Sequence, residues 1–145
     1  MKRIISVVLL SLCLIMPTGC KTVSKDGIDV DVTETLYVSY INDIYTNINS
    51  YVGKNIRIEG MFKEEIVGSN SYFYVYRTGP GCCGNDGAMC GFEFTWDGAS
   101  QLLDNSWIEV VGELETYQEN GKTYLNLRAS SVTVLTQRGK ETVAN

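Results

Sequence analysis

The sequence predicts a mainly β domain, a small five-stranded Greek-key barrel preceded by one amphipathic α-helix. Three observations carry this expectation. Apolar residues recur at three- and four-residue steps in one stretch, Thr33 to Val52. After Gly53 the period changes to two and holds through Leu135. Glycine-containing turns, above all Asn120-Gly121, divide the alternating runs at spacings suited to hairpins.

The helical stretch places Tyr37, Ile41, Ile44, Ile48 and Val52 on one face. Thr33 or Thr35 stands where a capping hydroxyl is needed, and Gly53 follows the last apolar position, as a left-handed helix terminus requires. Tyr40, Tyr45 and Tyr51 add aromatic surface that reads as packing.

In the first strand Ile56 and Ile58 alternate with Arg57 and Glu59, and Gly60 interrupts before Met61-Phe62, the pattern of a long strand bent at a glycine bulge. Tyr72 to Tyr76 forms the second strand, and Phe92, Phe94 and Trp96 mark the third. Ile108, Val110, Gly112 and Leu114 mark the fourth, and Asn120-Gly121 turns it into a fifth over Tyr124 to Leu135, with a phase slip at Ser130-Ser131. Gly98 to Ser106, with Leu102-Leu103, has room for one or two helical turns between strands three and four. A bent first strand and a long final hairpin fit a barrel of the OB type, and closure removes exposed sheet edges.

Lys2 and Arg3, the apolar run Ile4 to Met16 and the small-residue site Pro17-Thr-Gly-Cys20 read as a signal peptide over 1–19. The apolar run is too short to span a hydrocarbon core of roughly 30 Å as a stable helix. Cys20 directly after Thr18-Gly19 resembles the lipobox of bacterial lipoproteins, although Pro17 stands where such sites usually carry Leu. That resemblance implies acylation of Cys20 and a membrane partner through the lipid; the alternative is simple secretion or a periplasmic location. Polar residues 20–32 read as a lipidated or flexible tether, with a short edge strand over Ile28 to Val32 as the alternative. Residues 33–138 hold the helix and barrel, and 139–145 read as a disordered tail.

Removing 1–19 leaves 126 of the 145 residues, a one-domain length, and takes away two cations and no acid, so the net charge moves from −5 to −7. Such a chain is not expected to bind nucleic acid, whose phosphates demand cationic side chains. The chain has no His, the commonest general base and a common zinc ligand. Glu64-Glu65 and Glu93 with Asp97 read as solvated strand faces rather than catalytic pairs, and the protein is read as non-enzymatic.

Two places are candidates for function. The first is the loop Arg77-Thr-Gly-Pro-Gly-Cys82-Cys83-Gly-Asn-Asp86-Gly-Ala-Met-Cys90, with three of the five cysteines. In an oxidising compartment a disulfide joins Cys90 to one of the pair, with Cys83–Cys90 the pairing carried forward, stabilising by about 2–3 kcal/mol. Alternatively Cys82, Cys83 and Cys90, with Asp86 or water, ligate Zn²⁺ or Cu(I), for which adjacent cysteines need a sharp turn that Gly81 and Gly84 permit. Thiol–disulfide redox chemistry is a third reading. The second candidate is the ligand face Tyr72, Tyr74 and Tyr76, with Arg77 at its end, where an OB domain takes saccharide or peptide, or where tyrosines merely cover the barrel against the helix.

Tyr51-Val-Gly-Lys-Asn-Ile-Arg-Ile-Glu-Gly-Met-Phe, Arg77 followed by Cys82-Cys83-x-x-Asp86, and Trp107-Ile-Glu-Val-Val-Gly112 resemble, in that order, the C-terminal domain of the YcgQ family. The likeness covers roughly residues 36–135. It implies that Cys82, Cys83 and Asp86 are the family's paired cysteine and aspartate, that Arg77 falls near its preceding arginine, and that an envelope or permease protein is the partner. Members of that family carry transmembrane helices ahead of this domain, and Cys90 is not part of their motif.

Overall fold

Ile56 and Ile58 turn inward while Arg57 and Glu59 turn outward, and the same alternation repeated in five long strands bends one sheet until it closes. The computed structural model describes residues 27–80 and 87–144. The expected signal peptide, Cys20, and the loop residues Cys82, Cys83 and Asp86 lie outside the described residues.

The elements are β1 (Val30–Val32), α1 (Tyr37–Thr46), β2 (Asn55–Val67), β3 (Asn70–Gly79), β4 (Ala88–Thr95), β5 (Trp107–Glu119) and β6 (Lys122–Val134). The strands run in the order β1-β2-β3-β4-β6-β5, and β2 pairs with β5 to close the barrel. Neighbours in the barrel are antiparallel except β4 and β6, which run parallel through Glu93–Asn126 to Thr95–Arg128. The long β2 serves three partners: residues 55–61 pair with β5, residues 61–67 with β3, and residues 56–58 with β1.

The barrel interior holds Ile56, Ile58, Phe62, Val75, Phe92, Phe94, Val110, Leu114 and Leu127, all essentially buried. Phe62, Phe73 and Phe94 meet with ring centroids 6.1–6.4 Å apart. Helix α1 adds Tyr37, Val38, Ile41 and Ile44 to the same core and packs against β1 and β4. Each such side chain contributes on the order of 1.5–3 kcal/mol by leaving water. The Tyr37 hydroxyl donates to the Cys90 carbonyl at 3.2 Å and the Tyr45 hydroxyl to the Gly91 carbonyl at 3.1 Å, pinning the helix to β4.

Several expectations are met in detail. Asn120 and Gly121 have φ +49° and +74°, the left-handed pair of a tight hairpin; Gly53 is left-handed at φ +82° but does not end the helix, which stops at Thr46. The slip at Ser130 is a bulge, since Val111 pairs with Ser131 and Gly112 with Ala129. Between β4 and β5 the helical insert reduces to a single 3-10 turn, Ala99–Gln101.

Other expectations come out differently. Within the expected tether over 20–32 the alternative of a short strand holds: β1 pairs in parallel with Ile56–Ile58, because Val30 and Val32 bury on the core side of β2. The tail over 139–145 is packed at least as far as Val143: Thr142 bridges Thr78, and Val143 is buried. Thr33 makes no side-chain cap, the chain entering α1 through a 3-10 turn at Glu34–Leu36. Val52, expected on the buried helix face, is exposed because α1 ends at Thr46.

Gly60 is likewise no bulge, since the β2 registers run through it without a shift. It is a point of close approach: a Cβ there would lie 2.5 Å from the Tyr76 carbonyl oxygen. Gly60→Ala must push β2 and β3 apart, and a loss of about 1–3 kcal/mol is expected, read as a lower urea midpoint at unchanged m-value.

Candidate functional site: a tyrosine cleft on the barrel

Tyr72, Tyr74 and Tyr76 take the outer parity of β3, opposite Phe73 and Val75. Antiparallel pairing sets Tyr74 beside Glu93 and Tyr76 beside Gly91 of β4. Around the barrel, Tyr117 of β5 pairs with Tyr124 of β6, their rings stacked at 5.4 Å and 22°. Tyr45 of α1, whose ring stacks on Phe92 at 5.7 Å, borders the same surface.

These residues line two clefts that run into each other at Tyr74, Glu93 and Tyr124. One, of about 210 Å³, lies between the helix and β4, bordered by Tyr45, Tyr76 and Met89. The other, of about 420 Å³, is bounded by the β2–β3 turn at Val67 and Asn70 and the β5–β6 turn at Glu119 and Asn120. Strands two and three of the barrel, flanked by these two turns, form the surface on which OB domains hold their ligands.

The cleft is acidic as well as aromatic. Glu65, Glu93 and Glu119 line it, and among the described residues no Lys or Arg does, although Lys63 reaches Glu65 from beside the cleft at 3.9 Å. The Tyr117 hydroxyl donates to Glu93 Oε2 at 2.7 Å and the Tyr72 hydroxyl to Glu119 Oε1 at 2.8 Å. Burial raises the Glu93 carboxyl above its ordinary range, against the lowering effect of the Tyr117 bond and with a further push from Glu119. Burial, then the charges of Glu93 and Glu65, push the Tyr74 hydroxyl up to about 12. Tyr117 is raised by burial and by its bond to Glu93, and Tyr72 by its bond to Glu119, so both remain donors at neutral pH.

Arg77 is not on this face. It shares the inward parity of Phe73 and Val75 and is 2 % exposed, its guanidinium lying 4.8 Å from both the Tyr37 and Trp107 ring centroids. Nε donates to the Glu59 carbonyl at 3.0 Å; Nη1 donates to Glu34 Oε2 and to the Lys140 carbonyl, each at 3.2 Å. With its donors committed internally, Arg77 is a structural residue rather than a ligand contact.

Cys90 pairs with Arg77 across the β3–β4 ladder. It carries a free thiol, packed against the core, and burial pushes its pKa up, away from the thiolate. The other residues of the expected metal or disulfide site, Cys82, Cys83 and Asp86, lie outside the described residues. Among the described residues no three metal-ligating side chains gather.

The sequence reading found Tyr72, Tyr74 and Tyr76 but missed Tyr45, Tyr117, Tyr124, Glu93 and Glu119 as their neighbours. One signal was available: in a barrel of this type the turn at Asn120-Gly121 flanks the face of strands two and three, which draws Tyr117, Glu119 and Tyr124 toward it.

A five-stranded Greek-key barrel with one parallel pair and an aromatic cleft between these turns defines an OB-fold domain. Residues 18–140 match the DUF1980 C-terminal domain, and the chain belongs to that family. No curated protein matches it. Among solved structures it is similar to the OBody NL8 bound to hen egg-white lysozyme, at 13% identity and TM-score 0.39, over 59% of this chain and 99% of that one. It is also similar to the small single-stranded DNA-binding protein from Streptomyces coelicolor, at 15% identity and TM-score 0.38, over 59% and 95%. A third is the N-terminal domain of PriB protein from Thermoanaerobacter tencongensis, at 13% identity and TM-score 0.33, over 57% and 97%.

Two outcomes follow from the geometry. Arg77→Ala removes the guanidinium donor from two carbonyls and from Glu34, which keeps the Lys140 amide, and empties the space between two rings, so a loss of about 3 kcal/mol or more is expected in urea unfolding, only partly recovered by Arg77→Lys. Glu93 has a folded pKa above its unfolded one, so its ionisation destabilises the fold: stability is fuller at low pH and declines as pH rises from about 4.5 through the raised folded value. Glu93→Gln keeps an acceptor for Tyr117 and is expected to unfold at higher urea than the parent at pH 7, with a flatter profile between pH 4 and 7.

Proposed function

We propose that this chain is an exported, lipid-anchored binding module of the bacterial cell envelope, which works without catalysis and offers its tyrosine cleft to a peptide or saccharide ligand. The observation that carries this reading is the cleft itself: Tyr72, Tyr74, Tyr117 and Tyr124 stand around Glu93 on the surface where the OB barrel presents ligands. Stacking platforms with a few fixed polar groups suit sugar rings and side chains. The start of the chain, with its basic residues, apolar run and lipobox-like Cys20, supports export and anchoring.

Nucleic acid is not the proposed ligand. Single-strand binders combine aromatic platforms with a cationic groove. Here carboxylates take the place of the cations.

The cysteine loop is a second element of the same reading. Cys82, Cys83, Asp86 and Cys90 are proposed as a soft-metal or partner-sensing site, with a disulfide between Cys90 and one of the pair as the alternative. The resemblance to the YcgQ C-terminal domain supports a transport protein as that partner. The raised thiol pKa of Cys90 counts against its service as a redox nucleophile.

Fractionation of cells expressing the full chain tests the anchor: the parent should enter the detergent phase and Cys20→Ser the aqueous phase, whereas identical partitioning overturns lipidation. Thiol counting with zinc and copper analysis tests the loop. Three protected thiols released with one equivalent of metal are expected; a disulfide to Cys90 without metal overturns the metal role.

A further inference from the structure

Three carboxylates line the cleft; Lys63 Nζ answers Glu65 at 3.9 Å, whereas Glu93 and Glu119 face no Lys or Arg partner among the described residues, and Glu93 is half-buried. Tyr117 and Tyr72 each bind one oxygen of Glu93 and Glu119, which leaves the second oxygen of each outside those bonds. A carboxylate held away from water, beside a second like charge, gains most from a cation that arrives with a ligand. The surrounding groups favour the same visitor. Tyr74, Tyr117 and Tyr124 are electron-rich rings within the same cleft, and a cation beside an aromatic face is stabilised by the ring quadrupole. The fold already uses this chemistry, with Arg77 between Tyr37 and Trp107.

The shape narrows the class. The two clefts join at Tyr74, Glu93 and Tyr124 into one trough that extends from the β2–β3 turn to Met89, longer than a single ammonium group needs. Apolar and aromatic lining continues past the acidic centre, through Tyr76, Phe92 and Leu125. An extended chain with a cation at its middle and uncharged residues beyond it fits this distribution.

We propose that the trough binds an extended basic peptide segment of a partner protein, seating one lysine or arginine side chain among Tyr74, Tyr117 and Tyr124 against the Glu93 carboxylate. This rests on the cleft being the ligand site and names the chemistry of its ligand. The aromatic rings supply affinity for the body of the side chain, and Glu93 with Glu119 selects its charge.

The test uses the full chain in detergent and a fluorescently labelled octapeptide of Gly, Ser and Ala with two central lysines, titrated by anisotropy, with NMR of the tyrosine rings as a map. Binding should shift the Tyr74, Tyr117 and Tyr124 ring signals. Glu93→Gln and Tyr124→Ala should each weaken it by about tenfold or more, the loss expected for a charge-assisted contact. Glu109→Gln, outside the cleft, should leave affinity unchanged, and the same peptide with acetylated lysines should fail to bind. Equal binding of the acetylated peptide, or equal weakening by Glu109→Gln, overturns the cation site. Ring shifts produced instead by a neutral chito-oligosaccharide or by oligothymidylate overturn it while keeping the cleft as a ligand site. No ring shift with any of these probes overturns both readings.

Discussion

One guanidinium ties the chain together. Arg77 lies between the Tyr37 and Trp107 rings and joins three separate parts of the sequence: Glu34 and Tyr37 ahead of the barrel, Glu59 and Trp107 within it, and Lys140 behind it. Glu34 is the shared acceptor, taking the Lys140 amide at 3.0 Å as well as Arg77; these bonds, the amide first, hold its carboxyl below the ordinary range. A buried charge tolerates such a position only when its hydrogen bonds are met. The segments on either side of the barrel therefore meet at a residue in its middle, and Thr142 and Val143 lie along β3 beside it.

Because Arg77 occupies the inward parity of β3, the outward parity is left free for the cleft. The two faces of the same strand then obey opposite electrostatic rules. Inside, a cation is surrounded by acceptors and rings. Outside, Glu93 and Glu119 are surrounded by rings and hydroxyl donors, and among the described residues no Lys or Arg lines the cleft with them. Strain of this second kind is common where proteins keep affinity for something they do not contain.

The barrel was legible in the sequence because its signals are local. Alternation in Ile56-Ile58, Phe92-Phe94 and Ile108-Val110 states which side chains face inward, and Asn120-Gly121 states how the last two strands join. The segments flanking the barrel were less legible: the strand over Ile28 to Val32 stood only as the alternative to a tether, and the segment around Val143 carries little period of its own and is ordered by distant groups. Arg77 was misassigned for a related reason. Its type suggested solvent, whereas its parity, shared with Phe73 and Val75, already placed it in the core. The cleft was half legible: one strand's tyrosines can be read along the chain, but the approach of Tyr117, Glu119 and Tyr124 depends on closure of the barrel.

Strand β1 bears on how far the domain can stray from a bilayer. With an anchor at Cys20, ten residues separate the lipid from Val30, where the chain joins the sheet. Fully extended, that span reaches at most about 33–36 Å. A leash so short keeps the barrel in a thin layer above the lipid surface, where a partner in the same membrane meets it at an effective concentration on the order of millimolar. Even a weak contact in the cleft would then be occupied most of the time, and selectivity rather than tightness becomes the property that its tyrosines and carboxylates have to supply.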